Sequence, residues 1–174
     1  MKRALMIFVP AITTIIILTM FINKWIPVEA SGKYSDLGLP QDELNYLLKM
    51  CEIDGVDSDL ACAILKSETH GQFVYGDWDD EVGNFRSVGY FQIRDCNWDR
   101  MMDQYTVDVF THKGNIEAGV TMLWELTQKY PNDLKMVITS YKAGESRAKL
   151  LLDDGITLGC VEEVQEYITE YRGK

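Results

Sequence analysis

Two histidines, four prolines and four cysteines are all that 174 residues contain of these types, and no pair of cysteines is spaced Cys-x-x-Cys. His70 and His112 lie far apart in the chain, so neither a structural zinc site nor a cysteine and histidine thiol hydrolase has a motif to rest on. Basic side chains are also scarce, 17 against 27 acidic ones for a net charge of −10. Such a balance repels nucleic acid and anionic lipid, but it does not disfavour an uncharged sugar backbone. No internal repeat or low-complexity tract points to a solenoid or array. Cys51, Cys62, Cys96 and Cys160 are open to two readings, free thiols packed as small apolar groups or one or two disulfides, and spacing does not choose a pairing.

What the chain does have begins at its start. Lys2 and Arg3 precede an uncharged run from Ala4 to Ile22, long enough to cross most of a bilayer. Val28-Glu29-Ala30 then places small residues where signal peptidase accepts them. The expectation is an export segment over 1–30, either cleaved after Ala30 or kept as a membrane anchor through residues 4–22. A linker over 31–40 and one domain over 41–174, outside the cytoplasmic membrane, complete the reading. Without Lys2, Arg3, Lys24 and Glu29, the remainder carries 14 basic and 26 acidic side chains, a net charge of −12.

The domain reads as mainly helical. Leu44, Leu47, Leu48 and Cys51 recur at helical spacing. Asp57 or Ser58 caps a second helix whose Leu60, Ala61, Ile64, Leu65 and Glu68 share a face, with Gly71 as its stop. From Gln72 to Arg94 the helical period fails, and glycines, acids and aromatic residues predict an irregular wing with a small hairpin. Helices are predicted again over Asn115–Tyr130, Asp133–Ala143 and Val161–Tyr171, with a shorter one over Arg147–Leu152. Trp124 and Tyr130 fall on a regular stripe and are expected in the core.

Glu68 is the residue that suggests chemistry. A carboxyl on an apolar stripe is costly, and both desolvation and the negative end of the helix dipole disfavour its charged form. A carboxyl able to hold its proton serves as a general acid, which a glycosidic oxygen needs before it can leave. A structural glutamate is the competing reading.

Five strings then carry a resemblance: LKSETHG at Leu65–Gly71, SVGYFQI at Ser87–Ile93, NIEAGVTML at Asn115–Leu123, SYKAG at Ser140–Gly144 and EYI at Glu166–Ile168. In this order the chain resembles the soluble lytic transglycosylase (SLT) domain of the lysozyme-like superfamily, from about Leu60 to Tyr171. The resemblance implies a lysozyme-like single domain that cleaves the glycan strands of peptidoglycan at the MurNAc-β-1,4-GlcNAc bond. It implies Glu68 as the catalytic acid and base, Gln92 and Tyr141 as residues lining the cleft, and Tyr167 as an aromatic supporting it. The reaction it implies closes a 1,6-anhydro ring on the muramic acid without water, metal or organic cofactor.

Three positions depart from that pattern. Thr69 stands for serine and Phe91 for methionine, both mild changes. Lys142 stands for asparagine and puts a cation beside the cleft, where it bears on which stem peptides or modified sugars are accepted. Tyr75, Trp78, Phe85 and Tyr90 are candidates for stacking on sugar, or for ordinary packing. Asp80, in the acidic run of the wing, is the candidate second acid if the protein is instead a hydrolysing muramidase. A lysozyme-like module that binds glycan or an envelope or secretion-apparatus protein without cutting is the remaining alternative.

Overall fold

The computed structural model describes residues 32–81 and 83–174. The expected export segment, residues 1–30, lies outside the described residues. Among the described residues no helix is long and apolar enough to cross a membrane.

The domain is helical with one small sheet. Helices α1 (Gln41–Asp54) and α2 (Ser58–Thr69) come first, followed by strands β1 (Tyr75–Asp79), β2 (Asn84–Val88) and β3 (Ile93–Arg94). Helices α3 (Trp98–Tyr105), α4 (His112–Lys129), α5 (Leu134–Ala143), α6 (Glu145–Asp153) and α7 (Gly159–Arg172) complete the chain. The strands form an antiparallel sheet in sequence order, with Trp78 opposite Phe85 and Val88 opposite both Tyr75 and Ile93.

Helix α2 is the centre of the fold. Ala61, Cys62, Ala63, Ile64 and Leu65 are all fully buried, so this helix is enclosed rather than lying on the surface with one apolar face. The alanines and the cysteine let neighbours approach closely, and α1, α4 and α7 pack around it. Burying Ile64 and Leu65 contributes about 1.5–3 kcal/mol each. Leu44, Leu47, Leu48 and Cys51 of α1 face the same core, as their spacing predicts.

Two sequence expectations are corrected, and one helix is added to them. The described part of the expected linker is not free: Gly32–Leu37 forms 3-10 turns, and Tyr34 and Leu37 are buried in the core. The Tyr34 hydroxyl donates to Asp59 Oδ1 at 2.5 Å. Trp124 is 39% exposed, because its position on α4 lies beyond the edge of the buried stripe formed by Ile116, Val120 and Leu123. Helix α3 was not expected; its apolar residues Trp98, Met101, Met102 and Tyr105 fall at helical spacing, but only Met101 is fully buried, with Trp98 packed against the core and Met102 and Tyr105 exposed.

All four cysteines are free thiols. Cys51 and Cys62 are buried and Cys96 is exposed. Burial pushes the Cys51 thiol up to about 12 and the Cys62 thiol well above its ordinary value. Iodoacetamide at pH 8 is therefore expected to alkylate Cys96 in the native protein, and Cys51 and Cys62 only in denaturant. Mass spectrometry of the labelled peptides reads this directly, and equal native labelling of Cys51 and Cys96 would contradict it.

Candidate active site

Glu68 is fixed by how α2 begins and ends. Asp57 caps the helix, its carboxylate accepting from the Asp59 amide at 2.8 Å. His70 stops it in the left-handed region (φ 52°), donating its amide to the Lys66 carbonyl. Gly71 follows at φ 77°, and a Cβ there would stand 1.9 Å from the Leu37 carbonyl oxygen, so only glycine lets the chain turn away at this point. Glu68 is thereby left one residue short of the helix end, with its side chain 19% exposed.

The residues Gly89–Gln92 form a tight loop held from three sides. From α2, the Thr69 hydroxyl donates to the Tyr90 carbonyl at 2.9 Å. From α4, the fully buried Asn115 accepts from the Phe91 amide at 3.0 Å and donates to the carbonyls of Val88 (2.9 Å) and Val109 (3.1 Å). From α5, the Tyr141 hydroxyl donates to the Phe91 carbonyl at 2.8 Å. Gly89 and Gly119 are part of the same device: a Cβ at either would stand 2.2 Å from Asn115 or from the Phe91 ring, respectively. Sequence reasoning did not single out Asn115. Its signal was its place at the head of a recognisable string, immediately inside the start of a helix.

Gln92 is brought to this loop but its amide is engaged internally. It occupies the left-handed region (φ 46°), donates to the carbonyls of Gly89 (2.8 Å) and Val74 (3.1 Å), and accepts from the Ser87 hydroxyl (2.8 Å). Tyr141 joins the loop to the Glu68 region; burial and the Glu68 carboxylate both push its hydroxyl well above the ordinary tyrosine value, so it stays a neutral donor.

Tyr90 is 2% exposed, which leaves no ring face for a sugar. Its hydroxyl donates to Glu43, a carboxylate that also lies 2.6 Å from His112 Nδ1, and Phe73 stacks on the His112 ring. Of the other aromatic candidates, Tyr75 and Trp78 are exposed and both contact Phe85 on the sheet. Tyr167 stands on α7, with its hydroxyl on Glu163 at 2.9 Å and the Lys66 ammonium 4.2 Å from its ring centre. Asp80 is exposed in the turn between β1 and β2, where it accepts from the Trp78 indole at 2.7 Å.

The surroundings of Glu68 differ from the apolar setting that the sequence suggests. The Lys142 ammonium lies 2.8 Å from Glu68 Oε1, and its side chain is only 9% exposed. It also donates to the Ser67 hydroxyl at 2.7 Å, and that hydroxyl donates to Glu163 at 3.2 Å. Among the described residues no group of three or more His, Cys, Asp and Glu side chains is placed to hold a metal ion.

The enclosed helix that ends just past Glu68, the loop tied by Thr69, Asn115 and Tyr141, and the small antiparallel sheet make up a mainly helical, lysozyme-like fold. The comparisons narrow this to one family. The transglycosylase SLT domain model matches residues 45–152, and the chain belongs to that family. A crystal structure of an inactive mutant of the lytic transglycosylase Slt from Pseudomonas aeruginosa is similar in fold, with a TM-score of 0.52 at 16% sequence identity. The likeness covers 72% of this chain and 21% of that one, so this chain spans about a fifth of its length. No curated protein matches by sequence.

Proposed function

We propose that the protein is a peptidoglycan lytic transglycosylase that acts outside the cytoplasmic membrane, with Glu68 as its single acid and base. The observation that supports this most is convergence. The strings around Glu68, Gly89–Gln92, Asn115 and Tyr141 lie far apart in sequence, yet meet through the bonds of Thr69, Asn115 and Tyr141 to one loop.

In this reading Glu68, carrying a proton, donates it to the oxygen of the MurNAc-β-1,4-GlcNAc bond. As the bond from C1 to that oxygen breaks, the carbonyl oxygen of the muramic acid's own acetamido group bonds to C1. The Glu68 carboxylate then takes the proton of the C6 hydroxyl, whose oxygen replaces the acetamido oxygen at C1. The proton lent to the leaving sugar is thus recovered, and a 1,6-anhydro ring closes with no water consumed. Gln92 and Tyr141 act by shaping the loop: one amide and one hydroxyl hold the backbone from Val74 to Phe91 in place beside the acid. Tyr167 acts from α7 through Glu163, which accepts from both its hydroxyl and that of Ser67 beside the acid.

Digestion of purified peptidoglycan, followed by mass spectrometry of the released fragments, tests the reading. Fragments ending in 1,6-anhydro-muramic acid are expected. Fragments heavier by one water would instead mean hydrolysis and would turn attention to Asp80 as a second acid. Binding without any release would mean a glycan-binding module.

A further inference from the structure

We propose that Lys142 couples the charge of Glu68 to the charge of the glycan, so that the site selects strands bearing a carboxylate beside the bond to be cut. The inference rests on Glu68 being the acid of the proposed reaction. Its own observation is the placement of Lys142. Its side chain is nine-tenths buried, and among the described residues Glu68 is the one carboxylate in ion-pair contact with its ammonium. Its other contact is a neutral hydroxyl, Ser67, which already donates to Glu163.

To act as an acid Glu68 must carry a proton, and in that state Lys142 has no anion beside it. A buried charge without a partner is costly, so Lys142 needs a second anion when the Glu68 carboxylate leaves the pair, and Glu163 is reached only through the Ser67 hydroxyl. A carboxylate delivered by the substrate within reach of the ammonium restores the balance. Binding of a substrate carboxylate at Lys142 and release of Glu68 from the ion pair then favour one another by the same factor. A neutral glycan offers no such exchange and leaves the resting ion pair intact. An uncharged amide at position 142 would impose no such requirement. The anion is chemically at hand in peptidoglycan, on the lactyl arm of muramic acid or on the stem peptide that extends it.

The test uses the protein and its Lys142→Asn and Lys142→Arg variants with three tetrasaccharides of alternating N-acetylglucosamine and N-acetylmuramic acid. One has free lactyl carboxylates, one has L-alanyl-D-glutamate on each lactyl group, and one has its lactyl groups blocked as methylamides. Cleavage gives kcat and KM, and calorimetry gives binding. The wild type is expected to favour at least one carboxylate form over the methylamide by about tenfold or more in kcat/KM. Lys142→Arg keeps that preference and Lys142→Asn loses it; the favoured form identifies the lactyl arm or the stem as the source of the anion. Equal cleavage of charged and neutral forms by the wild type, or a preference that survives Lys142→Asn, would overturn the proposal. Should nothing be cleaved, the proposed activity fails, and calorimetry then decides the role of Lys142 alone. Tighter binding of a carboxylate form, lost in Lys142→Asn, supports it, and equal binding of all three ligands overturns it.

Discussion

Glu68→Gln is expected to reduce peptidoglycan cleavage by about 10³-fold or more, within the range that a positioned acid and base contributes, while the protein remains folded. Glutamine matches glutamate in size, and its carbonyl oxygen still accepts from Lys142, so the end of α2 keeps its shape. What is lost is the ability to give and take a proton. The substitution has a structural cost of its own, because it leaves the ammonium of Lys142, whose side chain is only 9% exposed, without its ion-pair partner. Breaking a buried pair from one side costs roughly 3–5 kcal/mol, discounted here because Glu68 is in part exposed. The melting temperature should therefore fall. Replacing both partners, Glu68→Gln with Lys142→Met, removes the stranded charge and should recover much of that loss while activity stays absent. Circular dichroism melts and turbidity clearing of peptidoglycan, measured on both variants, separate the two effects. A folded Glu68→Gln protein with unchanged activity would end the single-acid account.

Asn115→Ala is expected to cost about 3–5 kcal/mol of stability. The amide of Asn115 is the partner of the Phe91 N–H and of the Val88 and Val109 carbonyls, and alanine supplies none of these bonds. Each buried backbone group left unpaired costs about 1–3 kcal/mol, and relaxation of the loop or entry of water recovers part of the sum. Against a typical total of about 5–15 kcal/mol this is a large fraction, equivalent to a fall of roughly 10 °C in melting temperature. Activity should fall as well, since the loop beside Glu68 loses its tie to α4. Asn115→Asp keeps the acceptor for Phe91 but sets a fully buried carboxylate oxygen against the Val88 and Val109 carbonyls, and should be no more stable than alanine. Leu150→Ala, at a side chain that is 67% exposed, should change stability by no more than about 0.5 kcal/mol. A melting shift for Asn115→Ala as small as that of Leu150→Ala would show that the loop is held by something other than this amide.

How much of this was legible in the sequence depended on whether the relevant signal was local. Helix α1 was readable because Leu44, Leu47, Leu48 and Cys51 all face one core. Helix α2 was readable from its Asp57 cap and the turn at His70 and Gly71. Helix α3 was overlooked although Trp98, Met101, Met102 and Tyr105 fall at i, i+3, i+4 and i+7, because two turns directly after the irregular wing make a short stretch of helical period. The turns over Gly32–Leu37 were missed for a similar reason: Tyr34 and Leu37 are two anchors in a polar stretch that reads as a linker.

At the site the division is the same. Glu68 showed itself by standing on an apolar stripe, and Lys142 by its departure from the family pattern. Their contact was not legible, because it depends on α5 meeting the end of α2 in space. Tyr90 carried the aromatic character of a sugar platform, but its burial against Glu43, Phe73 and His112 is a tertiary fact. The role of Asn115 was hidden in the same way, since two of its three partners, Val88 and Phe91, come from a stretch more than twenty residues away in the chain.

The central claim is that Glu68 drives cleavage in which the sugar's own C6 hydroxyl, not water, completes the reaction. The most direct measurement is digestion of peptidoglycan in water enriched with oxygen-18, with the new glycan ends weighed by mass spectrometry. The account predicts 1,6-anhydro ends that carry no oxygen-18. New reducing ends that each carry one oxygen-18 atom would contradict it and establish hydrolysis.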